Sequence, residues 1–241
     1  MELDDRLRAK DPARIAGMFD AIASRYDLLN HLLSAGIDRY WRARAIRALR
    51  LTGREALLDL CTGTADLAMA AARPGRAARV VGLDFAAAML DIGRQKVARA
   101  GLARVVHLVR GDAMVLPLPD RSVDAVTIAF GIRNVADPLK AGRDIRRVLR
   151  PGGRLAILEF GLPPSRLVRA VYLWYFRHVL PLIGRLVSRH SLAYSYLPAS
   201  VGTFPPPDEF AGLLRTAGFS DVRATPLTFG IVYLYEGTAA S

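Results

Sequence analysis

The acidic residues at the ends of three apolar runs are the first candidates for chemistry. In "LLDLCTGTADLA", residues 57–68, an apolar run ends in Asp59, a turn with Gly63 follows, and a helical pattern opens at Asp66. Asp84 ends the run "RVVGL", and Asp112 follows "RVVHLVRG". Asp84 comes 21 positions after Gly63, the separation at which an acid meets ribose hydroxyls in dinucleotide-type folds.

The turn has one glycine where a pyrophosphate cradle shows three, in G-x-G-x-x-G. Pyrophosphate also wants close backbone approach and a neutral or positive surround. Asp59 and Asp66, on either side of the turn, would repel it and attract an ammonium or a sulfonium. S-adenosylmethionine carries both charges, a ribose diol and an adenine, and no phosphate, so the loop suits that ligand. A plain strand–turn–helix corner with Asp66 exposed is the other reading of the same residues.

These acids can act together only if their strands end on one edge, and the pattern from residue 56 onward supplies that. "ALLDL", "RVVGLD" (79–84), "RVVHLVRGD", "VDAVTIAF" (123–130) and "GRLAILEF" (153–160) read as strands. Between them "ADLAMAAAR", "AAAMLDIGRQKVARAG" and "DPLKAGRDIRRVL" read as helices, the last capped by Asp137 with Pro138 in its first turn. Such alternation predicts an α/β fold, a doubly wound Rossmann-like sheet that is mostly parallel. "PDEFAGLLRTAG" adds a helix, and "FSDVRATPL" with "FGIVYLYEG" (229–237) adds two closing strands as an antiparallel C-terminal hairpin. Ahead of the sheet, 12–50 reads as a helical cap, with Ile15, Met18, Phe19 and Ile22 on one stripe and five arginines in "DRYWRARAIRALR". The expected organisation is a single domain over 1–241: cap 1–52, cofactor-binding core 53–162, amphipathic insertion or lid 163–207, and closing helix and strands 208–241.

Composition narrows the partners. The 241 residues are 52% hydrophobic, enough for a sizeable core. One cysteine, Cys61, excludes an internal disulfide framework and a Cys-rich zinc site, and the four histidines show no ligand spacing, so no metal is expected. The charged start "MELDDRLRAK" has no apolar signal region, which gives a cytoplasmic expectation. The net charge of +12, almost all arginine, suits an anionic partner or simply reflects a genome that favours arginine.

At this point the chain resembles the class I methyltransferases and, within them, the ubiquinone/menaquinone biosynthesis C-methyltransferases. The resemblance runs from about Met18 to Gly237. It is carried most specifically by "MFDAIASRYDLLNHLLSAGIDRYWR", "RGDAMVLPLPDRSVDAVTIAFGIRNVADP" and "YLWYFRHVLPLIGRLVSRHSLAYSYLPASVGTFPPPDEF". The loop and "RPGG" are shared with many other methyltransferases. The resemblance implies that Thr64, Asp84 and the pair Asp112–Ala113 contact S-adenosylmethionine, with the Asp112 carboxylate accepting from the adenine amino group. Two positions depart from the family pattern. Its Gly-Gly-Thr-Gly-Asp loop is Thr62-Gly63-Thr64-Ala65-Asp66 here, and its serine before "FGIRN" is Ala129.

The resemblance also gives the reaction: methylation of a ring carbon in a polyprenylated quinol. Such a site must align carbon, methyl and sulfur, stabilise phenolate charge and accept a proton. Arg133 would stabilise the phenolate, Asn134 would orient a hydroxyl or a water, and Tyr26 would relay a proton or contact the ring. On the residues alone, Arg133 reads as a surface salt bridge, Asn134 as a turn cap and Tyr26 as a core or lid tyrosine. The overall look of the loop inclines towards demethylmenaquinol; a benzoquinol, both quinols, or another acceptor such as RNA stay open.

The insertion has no acid between Glu159 and Asp208. Arg166, Arg169, Arg177, Arg185 and Arg189 alternate with aromatic and aliphatic residues. The arginines and Pro181 argue against a spanning helix, which needs roughly 20 nearly uncharged residues. A basic amphipathic stretch fits peripheral membrane contact through 163–190, at the inner face of the membrane. Nucleic acid and a protein interface, in a homo-oligomer or a quinone-synthesis complex, compete for the same residues, and the resemblance favours the lipid.

Overall fold

Strands that are apolar on both faces are stable only where helices cover both sides of the sheet. The computed structural model describes residues 10–73, 75–179 and 191–240, and in it such strands form the centre of one seven-stranded sheet. The strands are β1 (Glu55–Leu60), β2 (Ala77–Asp84), β3 (Val106–Arg110), β4 (Val123–Ala129), β5 (Leu149–Phe160), β6 (Phe219–Leu227) and β7 (Val232–Ala239). Their order is β3-β2-β1-β4-β5-β7-β6. The first five pair in parallel, with Leu58 beside Val81 on one side and Val126 on the other. β7 runs antiparallel to β5 and β6, placing Tyr235 between Ile157 and Ala224. The order reverses between β1 and β4, and the crevice above that switch point is where such sheets hold ligands.

Strand alternation divides the core. Leu58, Val126, Leu155 and Ile157 pack on one face with Ile145, Phe210 and Leu214. Leu57, Ala125, Ala156 and Leu158 pack on the other with Trp41, Leu67 and Val97. The covering helices are α1 (Pro12–Leu33), α2 (Asp38–Ala48), α3 (Asp66–Ala71), α4 (Ala87–Arg99), α5 (Pro138–Val148), α6 (Arg166–Trp174), α7 (Ser191–Thr203) and α8 (Pro207–Thr216).

Local chemistry sets the helix ends. Asp11 caps α1 by accepting from Arg14 N at 3.1 Å, and Asp137 caps α5 by accepting from Lys140 N at 2.9 Å. The stripe expected on α1 is buried at Ile15, Met18 and Ile22. Asp20 of α1 accepts from Ala88 N at 2.8 Å, joining the cap to the first turn of α4. Trp41 of α2 donates from Nε1 to Thr228 Oγ1 at 2.8 Å, joining the cap to the β6–β7 turn.

Several boundaries differ from the sequence pattern. α3 is only six residues long. β5 starts at Leu149, because the "RPGG" stretch bulges out and pairing with β4 resumes at Arg154. β7 starts at Val232 rather than residue 229, because Thr228, Phe229 and Gly230 take left-handed φ values of 47°, 58° and 85° that end extended pairing. In the insertion, α6 leads into a π-helical turn, Tyr175–Val179. Arg185, Arg189 and the rest of 180–190 lie outside the described residues. Among those described, no helix is long and apolar enough to cross a membrane.

Candidate active site

The loop after β1 is built from left-handed residues. Cys61, Gly63 and Ala65 have φ values of 52°, 55° and 69°. Only Gly63 adopts this conformation without a steric penalty; a Cβ there costs roughly 1–2 kcal/mol. Asp59 fixes the loop from beneath. Its buried carboxylate accepts from Thr62 Oγ1 at 2.7 Å and from Thr127 Oγ1 at 2.6 Å. Burial pushes its pKa up to about 6, while those two hydroxyls and the Arg42 charge pull it the other way.

Asp84 closes the loop from the end of β2. Its Oδ2 accepts from Gly63 N at 2.7 Å and its Oδ1 from Ala86 N at 2.9 Å. Burial raises its pKa, and the backbone N–H groups of Ala86, Gly63 and Phe85 oppose the rise. Past β3, Asp112 accepts from Met114 N at 2.8 Å. Asp84, Asp112, Ala113, Gly63, Tyr26 and Asn134 together line a cavity of about 100 Å³, walled elsewhere by apolar residues that include Phe85 and Met89. Its described lining has two carboxylates and no lysine or arginine. That donor set fits a cationic nucleoside such as S-adenosylmethionine and is wrong for a phosphate.

A second cavity of about 400 Å³ lies under the cap. Most of its lining is apolar or aromatic, including Ile22, Leu29, Trp41, Phe160, Tyr172 and Leu197, and the charged residues Asp38, Arg42 and Arg133 also stand in its wall. The two cavities share Phe19, Tyr26 and Phe130. Tyr26 is the titratable residue at that junction. Burial raises its phenol pKa, and a hydrogen bond with Asn30 and the Arg133 and Arg42 charges oppose the rise.

Arg133 is buried, so it makes no surface salt bridge. It lies in the short 3₁₀ turn Ile132–Asn134 that follows β4. Its Nη1 donates to Glu159 Oε1 at 2.7 Å and to Phe130 O at 2.5 Å, and its Nε donates to Ser200 Oγ at 3.3 Å. Nη2 has no hydrogen-bond partner among the described residues. Glu159 is fully buried and also accepts from the backbone N of Arg133 and of Phe160. The Asn134 Oδ1 accepts from the Tyr196 hydroxyl at 3.0 Å, which ties it to α7 rather than to a turn.

Two expected cofactor residues stand behind the loop. Asp59 is engaged as described. Thr64, also buried, donates to Asp27 of α1. Lys96 of α4 bridges Asp27 and Asp66, each at 2.5 Å. Asp66 also has Arg42 at 3.6 Å, and Arg42 pairs with Asp38. The loop's second acid is thus neutralised by the protein itself. Glu159, Asp27 and Lys96 are the site-related residues that sequence reasoning missed. A buried acid ending β5 opposite "FGIRN" is the signal that would have found Glu159.

Comparison with known proteins places the chain in a family. Residues 7–239 match the ubiE/COQ5 methyltransferase family. The chain is 49% identical to the demethylmenaquinone methyltransferase of Thermus thermophilus, over 91% of this chain and 99% of that one. It is 46% identical to the ubiquinone/menaquinone biosynthesis C-methyltransferase UbiE of Geobacter sulfurreducens, over 93% of this chain and 88% of that one. Among solved structures, a SAM-dependent methyltransferase from Aquifex aeolicus superposes with a TM-score of 0.60 at 18% identity, over 83% of this chain and 89% of that one. At that identity the likeness concerns the fold.

Proposed function

The chain belongs to the ubiE/COQ5 methyltransferase family, and from that premise we propose that it methylates a ring carbon of a polyprenylated quinol, converting demethylmenaquinol to menaquinol. The observation that carries this reading is the pair of joined cavities, one with two carboxylates and no lysine or arginine among its described lining, the other larger and mostly apolar. We assign S-adenosylmethionine to the first. Asp84 would hold its ribose, Asp112 and Ala113 its adenine, and the Gly63 turn its methionine end, with Asp59 and Thr64 setting that turn from behind. Bound there, the sulfonium supplies an electrophilic methyl group.

The chain's own groups then have to orient the ring and manage one proton. The Tyr26 phenol, at the junction, would donate to a quinol oxygen. Arg133, whose Nη2 has no hydrogen-bond partner among the described residues, would stabilise the phenolate, and Asn134 would orient a hydroxyl or a water. A water held by these groups would take the ring proton, since the described residues common to both cavities, Phe19, Tyr26 and Phe130, include no carboxylate or imidazole.

The tail sets the location. Each methylene brought from bilayer into water costs roughly 0.8 kcal/mol, whereas bilayer and apolar cavity are nearly equivalent. The substrate is therefore best received directly from a membrane, with 163–190 as the peripheral contact and the enzyme at the cytoplasmic face. In this reading the whole chain is one methyltransferase domain, with 1–52 as its cap and 163–207 as its lid. A lipid acceptor fits the mostly apolar lining of the large cavity better than an RNA strand does.

The deciding assay is methyl transfer from labelled S-adenosylmethionine to reduced demethylmenaquinone in liposomes, beside a reduced demethylated benzoquinone. Product from both with the naphthoquinol ahead is expected. A benzoquinol preference would reassign the pathway, and no product from either, despite measurable cofactor binding, would overturn the acceptor.

A further inference from the structure

Three separate pieces of chain bring large apolar side chains into solvent around one opening. Leu32 and Ile37 stand at the α1–α2 corner, Leu167, Val171 and Trp174 along α6, and Phe229 at the β6–β7 turn. Leu167 is 75% exposed and Phe229 77%, values at which a soluble surface gains nothing from such residues. All three pieces border the 400 Å³ cavity: Ile37 and Val171 line it, as do Thr228 and Ile231 on either side of Phe229. The bond from Trp41 to Thr228 holds the turn against the cap.

The turn is unusual in itself. Phe229 has a φ of 58°, a backbone disfavoured for an aromatic residue, and its side chain is not buried in compensation. The exposed charges carried by these three pieces are basic, although Asp208 of α8 acts on Tyr233 beside the turn. Arg39, Arg166 and Arg169 are exposed, and the single carboxylate within 28–40, 161–179 and 222–231 is Asp38, which is buried against Arg42 and His31.

We propose that this rim is a membrane-docking surface for an anionic lipid bilayer, with Phe229 as its wedge, so that the mouth of the large cavity opens into the acyl region. The proposal deepens the lipid-substrate reading and rests on it. Docking then uses the cap and the C-terminal hairpin as well as the insertion helix. The arginines meet anionic headgroups while the apolar side chains reach the acyl boundary. A protein partner would explain exposed apolar residues; it would not explain why they border the cavity assigned to the lipid tail.

The test is co-sedimentation of the full chain with sucrose-loaded phosphatidylcholine vesicles, with and without phosphatidylglycerol. Phe229→Asn suits it, because asparagine tolerates the left-handed backbone while removing the apolar wedge. Vesicle partitioning should fall about tenfold, with the melting temperature and S-adenosylmethionine affinity unchanged. Arg166→Glu should remove only the part that depends on phosphatidylglycerol. With Phe229→Asn the KM for vesicle-embedded quinol should rise, while turnover of a short-tailed quinol in buffer is unaffected. Equal vesicle binding by Phe229→Asn and the unaltered protein would overturn the proposal. So would an unaltered protein that ignores vesicles and instead forms a dimer that Phe229→Asn dissociates. Vesicle binding lost in Phe229→Asn, with no quinol methylated by the unaltered protein, would uphold the docking surface and overturn the substrate reading instead.

Discussion

Asp59 shows how a single residue trades stability for a defined loop. Its carboxyl titrates near pH 6 in the folded chain, against a usual value of 3.8. Above about pH 6 the fold therefore carries an ionised group that it would rather hold protonated, at a cost of roughly 3 kcal/mol. That cost fades as the pH falls from about 6 towards 4, since the folded form takes up the proton first. Asp59→Asn should accordingly melt higher than the parent at about pH 8, and the gap should close near pH 4.5; a gap independent of pH in thermal melts would contradict the assignment. Arg133 poses a different problem. Removing it alone strands the Glu159 carboxylate, a loss of about 3–5 kcal/mol that would mask any catalytic effect. The paired variant Arg133→Met with Glu159→Gln removes both charges. Turnover should fall at least about a hundredfold while calorimetry finds S-adenosylmethionine affinity within about threefold.

At the scale of elements, the site depends on two loops that nearly touch. A Cβ on Gly131, just after β4, would lie 2.2 Å from the Cys61 Cβ in the loop after β1. Cys61 is itself left-handed, so neither backbone yields easily. Gly131→Ala should cost about 2 kcal/mol in denaturant unfolding, and adding Cys61→Gly should restore most of it by clearing the contact and relieving the backbone. The cap reaches the same loop through charges. Asp27 of α1 meets Thr64 directly and Asp66 through Lys96. The helices that roof the large cavity and the loop that would hold the methionine end are thus one connected unit. The strand–helix alternation was legible in the sequence because burial on both faces leaves continuous apolar runs. The start of β7 was not, since nothing local shows that Thr228 to Gly230 turn left-handed.

For the molecule as a whole, the consequence is a division of labour between sheet and cap. The parallel half of the sheet presents the carboxylates, and the cap and insertion enclose the apolar cavity. If the prenyl tail lies there, filling the cavity should select on tail length. Val168 lines it from α6 and is only half-buried, so Val168→Trp narrows the space without crowding the sheet core. Long-tailed quinols should lose about tenfold in kcat/KM, while a quinol with a single prenyl unit changes little. An equal loss for both, measured side by side, would place the tail elsewhere.

The sequence by itself determined the alternating fold, the acids Asp84 and Asp112 at strand ends, and the family, because these depend on local patterns and on short runs of residues. Tertiary structure alone decided which acids face the cavity and which stand behind it. Asp59 and Asp66 read alike in sequence as carboxylates flanking a glycine turn. Folding gives one to the Thr127 hydroxyl, beside the local Thr62, and the other to Lys96; the Thr127 and Lys96 contacts span 68 and 30 residues and depend on which elements become neighbours. The same holds for Arg133. Its burial against Glu159 follows from β4 and β5 lying side by side, and its place in the wall of the large cavity follows from the cap helices above.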